Sequence, residues 1–212
     1  MDPPVVPSDR LDGWRRVAET TDRPFAAGPV SVIAGTVVYE RATGPQPRSF
    51  CFASRLRIRP ATAPNAALTG LVERRARDGF RDRLAERDID GIEHRGDREL
   101  SVDDPSASRA TLSTFEGRFA APSGDEGGGL IPIEALLAVW EAGEYLLGGG
   151  AYPLGDGAEA ARRELVRIVR GIRSPGGSGG GGKNVGDSEK VRNSENVGDS
   201  ESAEEGEPED AG

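Results

Sequence analysis

The sequence contains few of the residues on which most catalytic and metal sites depend. Its 212 residues include one cysteine and one histidine. The single thiol, Cys51, excludes an internal disulfide framework and any zinc site built on several cysteines. The single imidazole, His94, would have to serve alone in any histidine-based triad or metal site. We interpret Cys51 as a buried, inert thiol and His94 as an exposed or half-packed side chain, so the sequence predicts no catalytic residue, no metal ligand and no cofactor.

Lysine is missing from residues 1–173, where every basic residue is arginine. This bias is typical of a GC-rich coding sequence and, with the acidic C-terminus, indicates a halophilic archaeal source. The net charge of -9 is concentrated after Arg173, where three basic residues face ten acidic ones. An acidic tail favours solubility and disfavours non-specific binding to nucleic acid or anionic membranes.

Long apolar runs and targeting signals are also missing. No run approaches the roughly 18 apolar residues of a membrane-spanning helix. The opening residues, MDPPVVPSDR, have neither a basic segment nor an apolar core of the kind that directs secretion. The sequence therefore predicts a cytoplasmic, soluble protein.

Composition divides the chain into three parts. Residues 1–11 are rich in proline and predict a flexible N-terminal arm. Residues 174–212 open with a glycine run and repeat the hexapeptide NVGDSE after twelve residues. Because this tail has almost nothing apolar to bury, it is predicted to be disordered, and we attribute its repeat to replication slippage rather than to a binding code. Residues 12–173 remain, the size of one domain.

The clearest structural signal is a helix over 65–87. Apolar residues recur there at steps of three and four, which defines one helical stripe; they are Leu68, Leu71, Val72, Ala76, Phe80 and Leu84. Asn65 is a suitable N-cap, and Gly79 is a weak point that costs roughly 1 kcal/mol relative to alanine. Such a helix is stable only against an apolar partner.

Strand patterns on both sides of the helix supply that partner. Residues 29–41 are apolar on both faces, as expected for a strand covered on both sides. Further strands are predicted near Trp14 and Val17 and over 49–59, 89–95, 98–102, 109–120, 130–140 and 144–148, with a second helix over 156–173 capped by Asp156. Gly96-Asp97 predicts a tight hairpin turn, and Gly148-Gly149-Gly150 a sharp bend or a close approach of another element. Taken as two or three strands, a helix, four strands and a second helix, these segments predict the fold class α+β, a largely antiparallel sheet of six to seven strands flanked by two helices.

This element order resembles a known fold. Gly13-Trp14 before the first strand, the long helix between the two halves of the sheet and the closing helix are similar to the PsbP/Mog1-type α/β/α sandwich. The phrase AVWEAGEYLL at 138–147, running into GGAYP at 149–153, resembles uncharacterised haloarchaeal proteins, some of them lipoproteins. The resemblance covers about residues 10–173 and implies an accessory or binding role, as in photosystem assembly and GTPase binding. It assigns no functional residue, and the absent signal peptide and lipobox separate this chain from the lipoproteins.

The best candidate for a ligand or partner face is an arginine row, Arg55, Arg57 and Arg59. These alternate along one strand face about 6.6 Å apart, and guanidinium groups grip phosphate or carboxylate well. The alternative is a solvated strand face paired with neighbouring acids. Asp88 with Asp90, and Asp103 with Asp104, lie in connecting segments where aspartate serves turns. Glu134 interrupts an apolar strand and needs an arginine partner if it is buried. No phosphate loop or dinucleotide fingerprint is present.

Three functional hypotheses follow. The first is a non-enzymatic binding or accessory domain without cofactor. The second is a small carboxylate-dependent, hydrolase-like enzyme, which needs two acids converging in a pocket. The third is an anion or nucleic-acid binder using the arginine row, although the row lacks the interleaved aromatics of single-strand binders. The sequence names neither a protein partner nor an oligomeric state.

Overall fold

The computed structural model describes residues 1–27, 30–44, 46–62, 65–107, 109–121 and 129–175. A 3₁₀ turn at Ser8–Arg10 precedes seven strands and two helices. The strands are β1 (Trp14–Ala27), β2 (Val30–Arg41), β3 (Phe50–Arg59), β4 (Ile89–Leu100), β5 (Ala110–Ala120), β6 (Leu130–Glu141) and β7 (Tyr145–Pro153), and the helices are α1 (Ala66–Ala85) and α2 (Ala158–Arg170). The sequence also predicts a flexible, glycine-rich loop over 122–129, and all of it except Gly129 lies outside the described residues. The tail beyond 175, with its predicted disorder and its repeat, lies outside them as well.

All seven strands form one open antiparallel sheet. Their order is β1-β2-β3-β7-β6-β5-β4, so β3 and β7 join the two halves of the chain at the centre. The chain leaves the sheet between these halves only to form α1, and α2 follows the last strand. The predicted α+β class, with an antiparallel sheet and two flanking helices, is confirmed.

Each face of the sheet has its own apolar core, as the two-sided pattern of β2 predicts. One cluster lies under α2. It contains Val37, Cys51, Leu136 and Trp140 of the sheet and Ile168 of the helix. The other lies under α1. It contains Phe52, Phe115, Leu137, Phe80 and Leu84. The alternation along β3 is also as predicted, with Cys51 and Phe52 on opposite faces.

The long helix begins as expected, because the Asn65 side chain accepts a hydrogen bond from the Leu68 amide. The second helix begins differently. Gly157, at φ 88°, occupies the N-cap position without a side-chain bond, so the predicted cap at Asp156 is wrong. A glycine tolerates this left-handed conformation at no steric cost.

The glycine run lies inside β7 rather than at a bend, and it permits close approach. A Cβ on Gly148 would overlap the Cδ1 atom of Ile172, just after α2, while one on Gly150 would overlap the carbonyl of Phe50 in β3. The side-chain-free backbone therefore lets α2 settle directly on the centre of the sheet.

Two local predictions are wrong. Gly96-Asp97 is not a hairpin turn, because β4 is continuous from Ile89 to Leu100 and pairs with β5 on both sides of this point, with a register shift between His94 and Gly96. The glycine thus marks a bulge, the other common role of a strand glycine. The strand at Trp14 is much longer than expected. Val17, an apolar residue that we expect to pack inward from this strand, lies at a register shift and is 41% exposed.

Residues 1–11 make defined contacts with the sheet and α2. Val5 and Arg173 exchange two backbone hydrogen bonds of 2.9 and 3.0 Å. Val6 is buried, and Arg10 donates to the Arg167 carbonyl at 2.6 Å and to Asp103 at 2.6 Å. The segment thus lies on the same face as α2.

Candidate functional site

A groove of about 390 Å³ lies between α1 and the face of strands β2 and β3. Its surface is mostly apolar, and the sheet and helix share it about equally. From the sheet come Pro24, Val32, Ala34, Thr36, Phe52, Ser54, Leu56, Ile58, Leu137 and Leu147; from α1 come Leu68, Leu71, Val72, Arg75, Ala76, Asp78, Gly79, Phe80, Asp82 and Arg83. We call it the α1 groove.

Small side chains on facing surfaces create the α1 groove. Ala34 of β2 and Ala76 and Gly79 of α1 all line it, and an added Cβ on Gly79 would meet no atom within 4 Å. Leu71 lies at the outer edge of the groove, which we call its lip, and is 41% exposed. This exposure is unusual for a leucine on the apolar stripe of a helix. The sequence predicts that α1 covers this face, but the structure shows that it covers it incompletely.

Contacts on the other side of α1 hold the helix in place. Arg77 donates to the Ser113 hydroxyl at 3.1 Å and to Asp97 at 3.1 Å, which ties the helix to β5 and β4. The Phe80 ring packs edge-on against Phe115 at a centroid distance of 5.7 Å. Because α1 is fixed toward β4 and β5, space remains over β2 and β3.

The floor of the α1 groove contains one polar pair. Thr36 and Ser54 are neighbours in the β2–β3 register, and their hydroxyl oxygens lie 2.7 Å apart. Both residues are buried, with 4% and 7% of their surfaces exposed. They are two of the three buried polar residues in the described part of the chain. A pocket that is apolar apart from one convergent polar group is typical of small-molecule sites.

Charged residues are confined to the lip of the α1 groove. Arg75, Asp78, Asp82 and Arg83 all project from α1 there. Arg83 reaches across to Asp22 of β1 at 3.8 Å, an exposed pair that contributes little stability but spans the opening. The lip therefore carries two charges of each sign and draws neither anions nor cations strongly.

Sequence reasoning missed this groove, although a signal was present. Thr36 interrupts the stripe of Val32, Ala34 and Val38, and Ser54 interrupts the stripe of Phe52 and Leu56. Two hydroxyls in apolar strand stripes indicate a polar feature on a buried face. That the two lie opposite one another depends on the strand register, which the sequence does not state.

The structure divides the predicted arginine row. Arg55 is largely buried and its Nε lies 2.5 Å from Glu144. Arg57 and Arg59 are exposed and line a second cleft of about 510 Å³ at the end of β3, together with Thr62 and Glu144. The three arginines of the predicted face therefore differ in burial, because Arg55 is paired with Glu144 whereas Arg57 and Arg59 are exposed.

The only histidine belongs to a polar cluster in which an aspartate is central. Asp97 accepts hydrogen bonds from the Ser113 hydroxyl at 2.6 Å and pairs with the His94 Nε2 at 2.8 Å. Partial burial acts to raise the pKa of Asp97, but the hydrogen bonds from Ser113 and His94 and the charge of Arg77 outweigh it, so this pKa lies below its usual value. In a nucleophilic triad the imidazole stands between hydroxyl and carboxylate. Here Asp97 occupies that place, and both Ser113 and His94 serve it.

The predicted acidic pairs lie at opposite ends of β4. Asp88 and Asp90 lie where the strand begins, and Asp103 and Asp104 follow its end. Asp103 binds Arg10, and Asp104 accepts from the Ser106 amide at 2.9 Å in a local turn. The two pairs therefore do not converge on one pocket.

The remaining candidates, Cys51 and Glu134, both have largely buried side chains. Cys51 is 1% exposed, and burial raises the pKa of its thiol well above the usual value. Glu134, with 12% of its side chain exposed, binds Arg162 of α2 and the Tyr152 hydroxyl. The expectation that a buried Glu134 needs an arginine partner is confirmed.

Two features are absent from the described residues. They contain no group of three or more His, Cys, Asp or Glu side chains arranged to hold a metal ion. None of the helices in this part of the chain has the length and apolar character needed to span a membrane.

Comparison with known proteins identifies a family. Neither a curated protein nor a solved structure matches the chain. A family model described as a domain of unknown function (DUF6517) matches residues 3–173. Because this match extends over most of the sequence, the chain belongs to the DUF6517 family.

Proposed function

We propose that the protein is a binding domain that holds a small apolar molecule in the α1 groove. The observation that carries this proposal is an open, preformed groove of about 390 Å³ whose surface is apolar except for one buried hydroxyl pair. Small-molecule sites fall in the range of roughly 300–1,000 Å³ and have this composition. The groove lies beside a helix that is held from its other side, so a ligand could enter without separating α1 from the sheet.

Further points belong to the same proposal. The sheet with a helix on each face supports a PsbP/Mog1-like sandwich, a fold whose members serve as accessory or binding proteins, as the sequence resemblance implies. We also retain a cytoplasmic location, a haloarchaeal source, a single domain over 12–173 and a disordered acidic tail as parts of the proposal. Limited proteolysis tests the last two, since cleavage should be confined to the tail and leave a stable fragment.

Two helix glycines provide a matched test of the α1 groove. Gly70 and Gly79 both lie within α1, and an added Cβ on either meets no atom within 4 Å, but only Gly79 lines the groove. Leucine at either position should stabilise the helix by roughly 0.5–1 kcal/mol. At position 79 it should also fill the groove.

The measurement is the fluorescence of N-phenyl-1-naphthylamine, a neutral probe whose emission rises in apolar surroundings. The wild-type protein and Gly70→Leu should bind it equally. Gly79→Leu should bind it about tenfold more weakly or worse, because the leucine and the probe would need the same space and overpacking costs roughly 1–3 kcal/mol. Equal binding by all three proteins, or none by the wild type, would remove the α1 groove as a ligand site.

A second candidate function uses the cleft at the end of β3. Arg57 and Arg59 are exposed there, and neither forms an ion pair with another described residue. We propose that the two guanidinium groups bind an anion such as pyrophosphate. Replacing both by glutamine should abolish pyrophosphate binding in calorimetry, whereas Arg74→Gln on the exposed face of α1 should not. A wild type that takes up no pyrophosphate at low salt contradicts this second candidate.

A further inference from the structure

The hydroxyl pair on the floor of the α1 groove has two O–H donors, and only one of them forms a hydrogen bond within the pair. Thr36 and Ser54 each carry one O–H donor, and the 2.7 Å hydrogen bond between their oxygens uses only one of the two. No other hydrogen bond from either hydroxyl is present among the described residues. One O–H donor is therefore left at the floor of the groove, on whichever residue accepts the shared bond.

An unused donor is costly at this position. Both residues are more than nine-tenths buried, and their neighbours on the floor are apolar side chains such as Ala34, Phe52 and Leu56. A buried donor without a partner is destabilising, whereas unfilled lone pairs on a hydroxyl are tolerated more easily. Valine and alanine would fill the same space without this cost. The pair is thus poorly explained by packing alone.

We infer that the ligand of the α1 groove is a neutral, mostly apolar molecule with one hydrogen-bond acceptor oxygen, such as a ketone or ester carbonyl, that the Thr36–Ser54 pair recognises. This inference rests on the proposed function and names its ligand class. The acceptor takes the spare O–H, and the apolar body lies along Val32, Leu56 and Ile58 on one side and the stripe of α1 on the other.

Charge and geometry favour a neutral small molecule over the alternatives. A ligand carboxylate on the floor would lose its hydration and gain only one O–H donor in return. The charged side chains of the groove lie at its lip, so none of them would neutralise this buried charge. A peptide strand would need a row of backbone partners, whereas β2 and β3 already pair with each other from Ser31↔Arg59 to Glu40↔Phe50. One donor on an apolar floor matches one acceptor.

The test compares two probes of nearly equal shape, hexanophenone and hexylbenzene, which differ by a carbonyl in place of a methylene. The dissociation constant of each probe is measured by displacement of N-phenyl-1-naphthylamine. The proteins are the wild type and the double variant Thr36→Val/Ser54→Ala, which lacks both hydroxyls but has side chains of similar volume. Removing both partners of a buried hydrogen bond together is often nearly neutral for stability. The decisive quantity is the ratio of the two dissociation constants, because the ketone is also the better hydrated probe in water.

In the double variant, the dissociation constant of hexanophenone divided by that of hexylbenzene should rise about three- to tenfold. This is the factor that one hydrogen bond of ordinary strength gives. Thr36→Ser retains both hydroxyls and should retain the wild-type ratio. Hexylbenzene should bind the double variant as well as it binds the wild type, which also shows that the variant folds.

A second measurement does not depend on any variant. The carbonyl stretching band of hexanophenone bound to the wild type should lie at lower wavenumber than in hexane, as in a hydrogen-bonded ketone. An unchanged ratio, or a band at the hexane position, overturns the inference while leaving an apolar site in place. If neither probe displaces the fluorophore from the wild type, the proposed function itself fails.

Discussion

Close packing between α2 and the sheet depends on the missing side chain of Gly148, and this dependence can be measured. A methyl group added there would overlap the Cδ1 atom of Ile172, which is itself fully buried and has little space to move into. Overpacking of this kind costs roughly 1–3 kcal/mol. Alanine recovers roughly 0.5–1 kcal/mol of backbone entropy relative to glycine in a strand. Gly148→Ala should therefore lower the free energy of unfolding by about 1–2 kcal/mol.

The same geometry predicts a rescue. Ile172→Val removes the atom that the new methyl group meets and should cost about 0.5–1.5 kcal/mol alone. Combined with Gly148→Ala, it should leave a protein about as stable as Ile172→Val itself, because the added and removed methyl groups use the same space. The interaction free energy in this double-mutant cycle should thus be about 1 kcal/mol or more. Urea unfolding of the four proteins, with slopes compared to exclude a change in the unfolded state, provides the measurement.

Gly150→Ala is the matched control in the same strand. Its methyl group would meet the backbone carbonyl of Phe50 instead of a side chain, so Ile172→Val should not rescue it. Strict additivity in the Gly148 cycle, or equal rescue of Gly150→Ala, would refute the assignment of Gly148 to helix packing.

Two further predictions concern single side chains. Cys51 is buried and burial raises the pKa of its thiol, so Ellman's reagent should modify it at pH 8 only on unfolding; rapid modification of the native protein would contradict the buried placement. Asp97→Asn should lower the free energy of unfolding at pH 7 by about 1 kcal/mol, a value reduced for solvent screening at this half-exposed carboxylate. Because folding lowers the pKa of Asp97, its contribution is complete above the unfolded value of about 3.9 and disappears as the pH falls through the lower folded value. A difference between wild type and Asp97→Asn that persists unchanged into strong acid would contradict this account.

Helix α1 shows how far periodicity alone reaches. Its stripe, its cap at Asn65 and its length follow from spacing and from hydrogen-bonding capacity within a few residues, which are local properties. The strands over 29–41, 49–59, 109–120 and 130–140 are likewise matched by β2, β3, β5 and β6 within one or two residues. The two-sided apolar pattern of β2 further required a cover on each face, and the two helices provide it.

Local signals were misleading where the partner strand decides the outcome. Gly96-Asp97 has the composition of a hairpin turn, yet β4 pairs with β5 on both sides of this point. The Asp97 carboxylate also accepts hydrogen bonds from Ser113 and Arg77. A bulge then costs less than breaking the ladder. In β7, the glycine run signalled close approach correctly, but the identity of the approaching element required the position of α2.

The sequence by itself determined most of the helices and strands, which residues of each are apolar, and that the chain contains a single cysteine and a single histidine. Only the tertiary structure decided where α1 lies across the sheet, that Arg55 is bound to Glu144 apart from Arg57 and Arg59, and that Thr36 faces Ser54 on the floor of a groove. The physical reason is range: periodicity and capping act over one or two turns of chain, whereas register and helix placement depend on contacts between residues distant in sequence.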